Sequence, residues 1–388
     1  MQNGKEALLG ILSGGGAQRV PCAPHWWGSY KYEVQGLDPR RDCWRDGEGL
    51  VPVYAGFYQR FHPDWFHLAI GTPRWFRDSR VQFREGKPVL VVDPRFRALK
   101  GEDRYFSCCC AGDELIVDFA DQILGSRSAR PKVQLAGRRA VDAYVRDRIH
   151  MDAKLIEEQG YTDHVRRIAE DYGREALVIV NLPSPVCEIF DPLTGYLGFE
   201  AGLLALHDHP EGMRRLLERC YESHLEWARA YARAGAHAFV VSETYISPDL
   251  VGPAVYRRFL KGLHREYFRE IQRTGLIPIC YFLGDVNPLL DDLTEIGIRG
   301  LLVEESKKSF RLEVGEIWRA LAGRLALFGN LDSIGVLQDA SAPQVRAEVR
   351  RQRSEAPAGF VVANGSPITP GTPPENLTAM IESSREPM

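Results

Sequence analysis

Four places in this chain put chemically capable side chains at the ends of apolar runs. Asn364-Gly365-Ser366 follows Phe360–Ala363 and opens a Gly/Pro/Ser/Thr loop that runs to Asn376. Glu243 follows Ala236–Ser242, and His264 lies about twenty residues on, in a helical pattern. Glu304 and Glu305 follow Gly300–Val303, and His25, Trp26 and Trp27 follow Val20–Pro24. A carboxylate that ends a buried run needs a partner, which favours a site role for Glu243. His264 also has the plain reading of an exposed or capping helix histidine. Two adjacent acids can bind a metal ion or a cationic substrate group, or pair with Lys307, Lys308 or Arg311. Adjacent tryptophans suit stacking on a flat aromatic face, or they plug the opening of a core. His207 and His209 look like a metal pair but stand just before a helix start, with Asp208 expected as part of its N-terminal cap.

These residues need strands to carry them, and the second half of the chain supplies strands and helices in alternation. Ala236–Ser242, Leu276–Leu283, Gly300–Val303, Leu325–Phe328 and Phe360–Ala363 are apolar without alternation, as in parallel strands covered on both faces. Helical patterns at about Glu211–Ala234, Leu250–Thr274, Pro288–Ile296, Leu312–Ala322, Ala342–Arg353 and Pro373–Arg385 separate or flank them. Upstream, Val20–Pro24, Asp64–Ile70 and Leu177–Asn181 add three strands. Eight strands with crossover helices predict an α/β fold, a closed (β/α)8 TIM barrel, with ligands at the C-terminal ends of the strands. Val81–Asp118 breaks the rhythm. It reads as a β-hairpin turning at Glu85-Gly-Lys-Pro88, then more strand at Asp113–Phe119, so a β-rich insertion at about 78–130 is expected after the second strand. Ser126–Pro131 is a polar, basic connection. The expected organisation is one barrel domain over residues 1–388.

Composition narrows the function class. The chain has 388 residues, 44% of them hydrophobic and 26% charged, as in ordinary globular proteins. A net charge of -3 and a pI near 6.4 give no electrostatic reason for a nucleic-acid partner. No apolar run is long enough to span a membrane, and Ala7–Leu12 is too short for a secretory signal, so a cytoplasmic location is expected. The eight cysteines form no paired C-x-x-C pattern. The Cys108–Cys110 triplet cannot ligate one ion from a regular strand, and small buried residues in a reducing compartment are expected.

The run Phe360–Asn376, with its Asn-Gly-x-x-Ile-x-Pro-x-Thr-Pro-x-Glu-Asn pattern, resembles the last βα unit of the uroporphyrinogen decarboxylase superfamily. Ile246-Ser-Pro248 and Gly329-Asn-Leu-Asp332 are similar to two further elements of that superfamily, in the right order on strand ends. The resemblance covers most of the chain, best from about Pro210 onward. It implies a TIM barrel, an enzyme, often a homodimer, and one of three chemistries: porphyrinogen decarboxylation, corrinoid-linked methyl transfer to a zinc-bound thiol, or methyl transfer from a small donor to a corrinoid protein. Asp285, Asn330, Asn364 and Ser366 are carried over as substrate-binding positions, with His25, Trp26 and Trp27 at the mouth.

The departures separate these branches. The decarboxylases carry arginines after strand one that grip substrate carboxylates, and here Cys22–Glu33 has none; Lys31 is a poor substitute. Asp64 stands where that branch has its central aspartate, and its plain reading is a strand-edge turn residue. The His-x-Cys and Cys zinc ligands of the thiol branch become Tyr281, Leu283 and Ser366. Cys280 is a near miss that period two turns outward if Tyr281 faces inward. In the third branch a carboxylate/His zinc site would use Glu243 and His264. The reading is a URO-D-like methyltransferase that moves a methyl group from a small donor, an aryl methyl ether for example, to a corrinoid on a partner protein. Asp64, Tyr281 and Glu243 are its catalytic candidates, with acid or metal activation of the leaving atom. A tetrapyrrole decarboxylase and a non-catalytic barrel that binds a tetrapyrrole or a partner stay open as alternatives.

Overall fold

The computed structural model describes residues 2–26, 30–37, 50–71, 74, 80–84, 87–91, 109–111, 114–116, 132–191, 195–245 and 247–387. Trp27, Cys108, Ile246, Glu85-Gly86 and Ser126–Pro131 lie outside them.

Seven parallel strands form the central sheet: β1 (Trp65–Leu68), β6 (Leu177–Pro183), β7 (Ala238–Glu243), β8 (Ile277–Phe282), β9 (Gly300–Val303), β10 (Ala326–Phe328) and β11 (Phe360–Val361), adjacent in that order. The expected first strand, Val20–Pro24, is reduced to one bridge, Cys22 against Val362. That short segment still closes the ring. On one side Ala23 N–H donates to Val362 O (2.8 Å) and Val362 N–H to Pro21 O (2.9 Å); on the other, Asp64 N–H donates to Cys22 O (2.9 Å). Pro21 and Pro24 have no N–H to give, so the ladder cannot lengthen there. The architecture is a (β/α)8 TIM barrel.

Alternation along the strands sorts the core into two layers. Trp65, Ile179, Val240, Tyr281, Leu302 and Phe328 belong to the inner one. Phe66, Val180, Val241, Cys280, Val303 and Leu327 belong to the outer one, under the helices. The helix Gly4–Leu12 is held by an Asn3/Glu6 capping box, and Leu8, Ile11 and Leu12 pack into the inner layer. A methyl group at Gly300 would sit 3.1 Å from Leu12 Cδ2, so that helix closes the N-terminal end of the barrel.

Around the ring, the long helix Pro210–Arg233 matches its amphipathic pattern. The predicted helix Leu250–Thr274 is instead three: Pro248–Val251, Pro253–Phe259 and Lys261–Arg273. Gly252, at positive φ, and Pro253 break it. The segment after β1 carries a second, antiparallel sheet. In it β2 (Arg80–Arg84) pairs β3 (Lys87–Val91), and β3 pairs β5 (Glu114–Ile116), which pairs β4 (Cys109–Ala111). Among the described residues no helix is long and apolar enough to cross a membrane.

Candidate active site at the barrel mouth

The C-terminal ends of the strands gather a compact polar group. Tyr281, inward near the end of β8, is buried, and its hydroxyl donates to Gly365 O at 2.7 Å. Burial raises its phenol pKa well above the usual value, with Glu304 and Glu305 adding to the effect, so it stays protonated. Glu304 Oε2 accepts from Gly284 N at 2.9 Å, which ties the end of β9 to the end of β8. Ser366 Oγ donates to Glu305 Oε1 at 2.7 Å, and Lys307 Nζ bonds the same oxygen and lies 3.2 Å from Glu304 Oε1. Gly365 is pressed against this pair, since a Cβ there would lie 2.5 Å from Glu305 Oε2 and 2.8 Å from the Glu304 carbonyl carbon.

On the other side of Tyr281 stand two histidines. His25 is buried, edge-on to Tyr281 at 4.5 Å, and stacked on His67 at 4.6 Å. Burial lowers the pKa of His25 to about 3 and that of His67 well below its usual value, so both rings are neutral. Asn364 pins the backbone of His25 by accepting from its N–H at 2.7 Å and donating to its carbonyl at 3.3 Å. Asn181 and Ser242, bonded to each other at 2.8 Å, continue the inward row on β6 and β7.

The sequence-level candidates divide over this frame. His25, Tyr281 and Ser366 come together at the mouth, and Asn364 supports them from beneath. Asp285 lies just past β8 and accepts from Asn287 N (3.1 Å), a local turn contact. Asn330 serves the loops: its amide donates to Leu312 O at 2.7 Å and to Glu304 O at 3.2 Å. Trp26 does not line the mouth. Alternation turns it outward, where it is fully buried and stacks on Phe57 at 3.9 Å.

Asp64 is at the wrong end of its strand for a mouth residue. It precedes β1 at the N-terminal edge, where Arg19 grips it at 2.6 and 2.8 Å, Cys22 N–H donates at 2.7 Å and Arg385 lies at 3.2 Å. A cleft of about 570 Å³ opens at that end, lined by Arg19, Asp64, Glu175 and Arg385 among others.

Glu243 and His264 do meet, but in the layer between strands and helices. Register pairs Ser242 with Tyr281 and Glu243 with Phe282, so Ser242 faces in and Glu243 faces out. Glu243 is buried, with Oε1 2.9 Å from His264 Nε2 and Oε2 accepting from Ser184 Oγ at 2.7 Å. The Tyr221 hydroxyl is wedged between them, 2.7 Å from His264 Nε2 and 3.3 Å from Glu243 Oε1. These contacts offset the cost of a buried carboxylate. Among the described residues no group of three or more His, Cys, Asp or Glu is placed to hold a metal ion.

At the positions of the thiol-branch zinc ligands, the Tyr281 hydroxyl is committed to Gly365, Leu283 has no donor atom and Ser366 is bonded to Glu305. That set does not fit a zinc–thiolate centre. Cys280 is buried in the outer layer, and burial raises its thiol pKa well above the usual value. His207 is exposed against Asp208 at 2.8 Å. His209, not Asp208, takes the cap position of the next helix, and Asp208 ends the helix before it.

Sequence reasoning missed His67, Asn181, Ser242 and Lys307. The first three were within reach, because each sits an even number of residues from an inward apolar neighbour on its strand. Lys307 was named only as one of three salt-bridge partners.

Comparison with known proteins agrees with the barrel fold. A family model described as uroporphyrinogen decarboxylase (URO-D) matches residues 137–387. A methylcobamide:CoM methyltransferase, MtaA of Methanosarcina barkeri, is 29% identical over 166 residues, 42% of this chain and 46% of that protein. A uroporphyrinogen decarboxylase of Thermus thermophilus is 30% identical over 177 residues, 44% of this chain and 48% of that protein. The chain thus spans about half the length of the curated relatives it matches. A solved methyltransferase from Methanosarcina mazei superposes with a TM-score of 0.70 at 18% identity, covering 99% of this chain and 98% of that one. At that identity the likeness is one of fold.

Proposed function

The chain belongs to the uroporphyrinogen decarboxylase (URO-D) family, and we propose that within it this protein is a methyltransferase that moves a methyl group from a small donor to a corrinoid carried by a partner protein. The similar curated proteins include both methyltransferases and decarboxylases, so the mouth must discriminate between them. One observation carries the choice. The described residues directly after the strands are Ala69, Ser184, Thr244, Leu283, Glu304, Gly329 and Val362, none of them arginine, and the described arginine further along the segment after β1, Arg74, is paired with Asp163. A substrate with many carboxylates needs several cations to offset its charge, and Glu304 and Glu305 would repel it. The arginines of Arg19 and Arg385 lie at the other end of the barrel, spent on Asp64.

Methyl transfer asks for a dry pocket, a held donor and a leaving atom that can accept the bond's electron pair. His25 and His67 supply neutral, buried walls. Tyr281 keeps its proton, and its hydroxyl, once turned from Gly365 O, would offer that proton to the leaving oxygen or nitrogen of a neutral donor. Glu304, Glu305 and Ser366 form the polar rim. The test is methylation of cob(I)alamin by the purified protein with candidate donors, followed by the absorbance of the methylated product. Product formation that falls at least tenfold in Tyr281→Phe or Glu305→Gln supports the reading. Absence of transfer with free cobalamin and with corrinoid proteins, together with turnover of uroporphyrinogen, would replace it with the decarboxylase.

A further inference from the structure

Two side chains at the mouth stand where the barrel pattern calls for apolar ones. Leu177 and Ile179 on β6, and Ala238 and Val240 on β7, belong to the inner core. Alternation makes Asn181 and Ser242 the next inward positions toward the mouth. Asparagine is depleted in strands, and an amide in a closed interior is costly unless it is bonded. Neither residue is closed in, because both are only half-buried. Ser242 Oγ donates to Asn181 Oδ1 at 2.8 Å. That bond occupies the carbonyl end of the amide and fixes which end is left over. No hydrogen bond among the described residues uses the two N–H groups of Asn181. The rest of the inward polar row offers an entering molecule less. His25 and His67 are fully buried, and the Tyr281 hydroxyl is bonded to Gly365 O.

We propose that Asn181 selects the methyl donor by giving an N–H to an uncharged oxygen of it, and that Ser242 positions the amide for this. The proposal rests on the methyl-transfer reading and adds the residue that discriminates among small donors. An amide N–H needs a lone pair opposite it. Ether oxygen supplies one, a thioether sulfur is a weak acceptor, and an onium nitrogen has none. An anionic oxygen would meet Glu304 and Glu305, two carboxylates that share the single ammonium of Lys307. If Ser242 let go, the amide could turn its own oxygen toward the donor, and two acceptors would face each other. The bond at 2.8 Å is therefore what gives the subsite its polarity. A site with a placed donor rejects an analogue that cannot accept from it, because the N–H groups then lose their solvent and gain no partner.

The probes are 2-methoxyethanol and 2-(methylthio)ethanol, the same chain with oxygen exchanged for sulfur. Each is titrated into the intact protein, with dissociation constants read from the broadening of the ligand's NMR signals. The readout is the ratio of the two constants, which a general loss of packing leaves unchanged. Asn181→Leu should move that ratio toward the thioether by about tenfold, which is about 1.4 kcal/mol. Ser242→Ala should move it the same way, and Ser242→Thr, which keeps the hydroxyl, should restore it. A ratio unmoved in Asn181→Leu, binding of neither probe, or a ratio in Ser242→Thr no different from that in Ser242→Ala each overturns the proposal. The Ser242 variants keep the test open if Asn181→Leu fails to fold. Both probes are also offered as methyl donors to cob(I)alamin, so the two readings fail separately. Oxygen-selective binding without transfer removes the methyl-transfer reading and keeps the subsite. Transfer with a ratio that Asn181→Leu leaves unmoved does the reverse.

Discussion

Protonating His25 would put a cation inside the barrel, beside His67 and against the ring of Tyr281. Burial therefore lowers its pKa to about 3, and His224, on the buried face of the helix Pro210–Arg233, is lowered to about 3 as well. His67 moves in the same direction. The unfolded chain takes up these protons at about pH 6.5, so between that value and about 3 the unfolded state binds more protons than the native state. The stability these groups confer is complete above about pH 6.5 and is lost as pH falls through that window, at no more than about 1.4 kcal/mol per pH unit for each histidine. Urea midpoints should accordingly be lower at about pH 5 than at about pH 7, and the fall should be smaller in His224→Gln. A midpoint that stays level or rises on acidification would refute the assignment. At this scale the sequence was legible by residue type and much less by direction. His25 and Trp26 are neighbours with the same apparent claim on the mouth, and one residue of alternation sends the first into the barrel and the second behind it.

The elements decide which claims survive. Strand ends were readable to within a residue or two for β7 through β10, because unbroken apolar runs between glycines, prolines and helical patterns are hard to mistake. Facing was harder. Tyr281 and Cys280 could be sorted by period two, whereas Glu243 needs the pairing of β7 with β8, which no single strand contains. Asp64 shows a different limit: its strand was recognised, but a residue that starts a parallel strand is on the floor of the barrel and not at its mouth. The loop after β11 was legible because its glycine has a mechanical reason. In Gly365→Ala the new methyl would meet the main chain of Glu304–Glu305 and the Glu305 carboxylate, so either the loop or the end of β9 must move. Thermal unfolding should show a loss of about 1–3 kcal/mol, and donor binding should weaken in the same variant. An Ala variant as stable as the parent would show that the two strand ends are not in contact.

Across the whole molecule, the ring is completed by residues from both ends of the chain. The segment at Cys22 fills the eighth place, and Asp64 on the floor is held by Arg19 from the start of the sequence and Arg385 from its end. Removing that carboxylate leaves two arginines unpaired at the seam between first and last units. Asp64→Asn should lower stability by about 1–3 kcal/mol, read from the denaturation midpoint, while the rate of the proposed methyl transfer per folded molecule stays within about twofold. A large loss of rate with unchanged stability would return Asp64 to the chemistry. The sequence could rank Asp64 as a site candidate because pattern matching sees order along the chain; it could not see that Arg19 and Arg385 converge there, since their separation of 366 positions is erased only by folding.

The helix Gly4–Leu12 has one more effect. Among the described residues it packs across the floor, so under the proposed methyl transfer both reactants would use the doorway at the mouth. A bulky protein-bound acceptor standing in that doorway would trap whatever lies beneath it. On the proposed function the small donor would therefore load first and its demethylated remnant depart last, which would make the order of arrivals a property of the barrel's stopper.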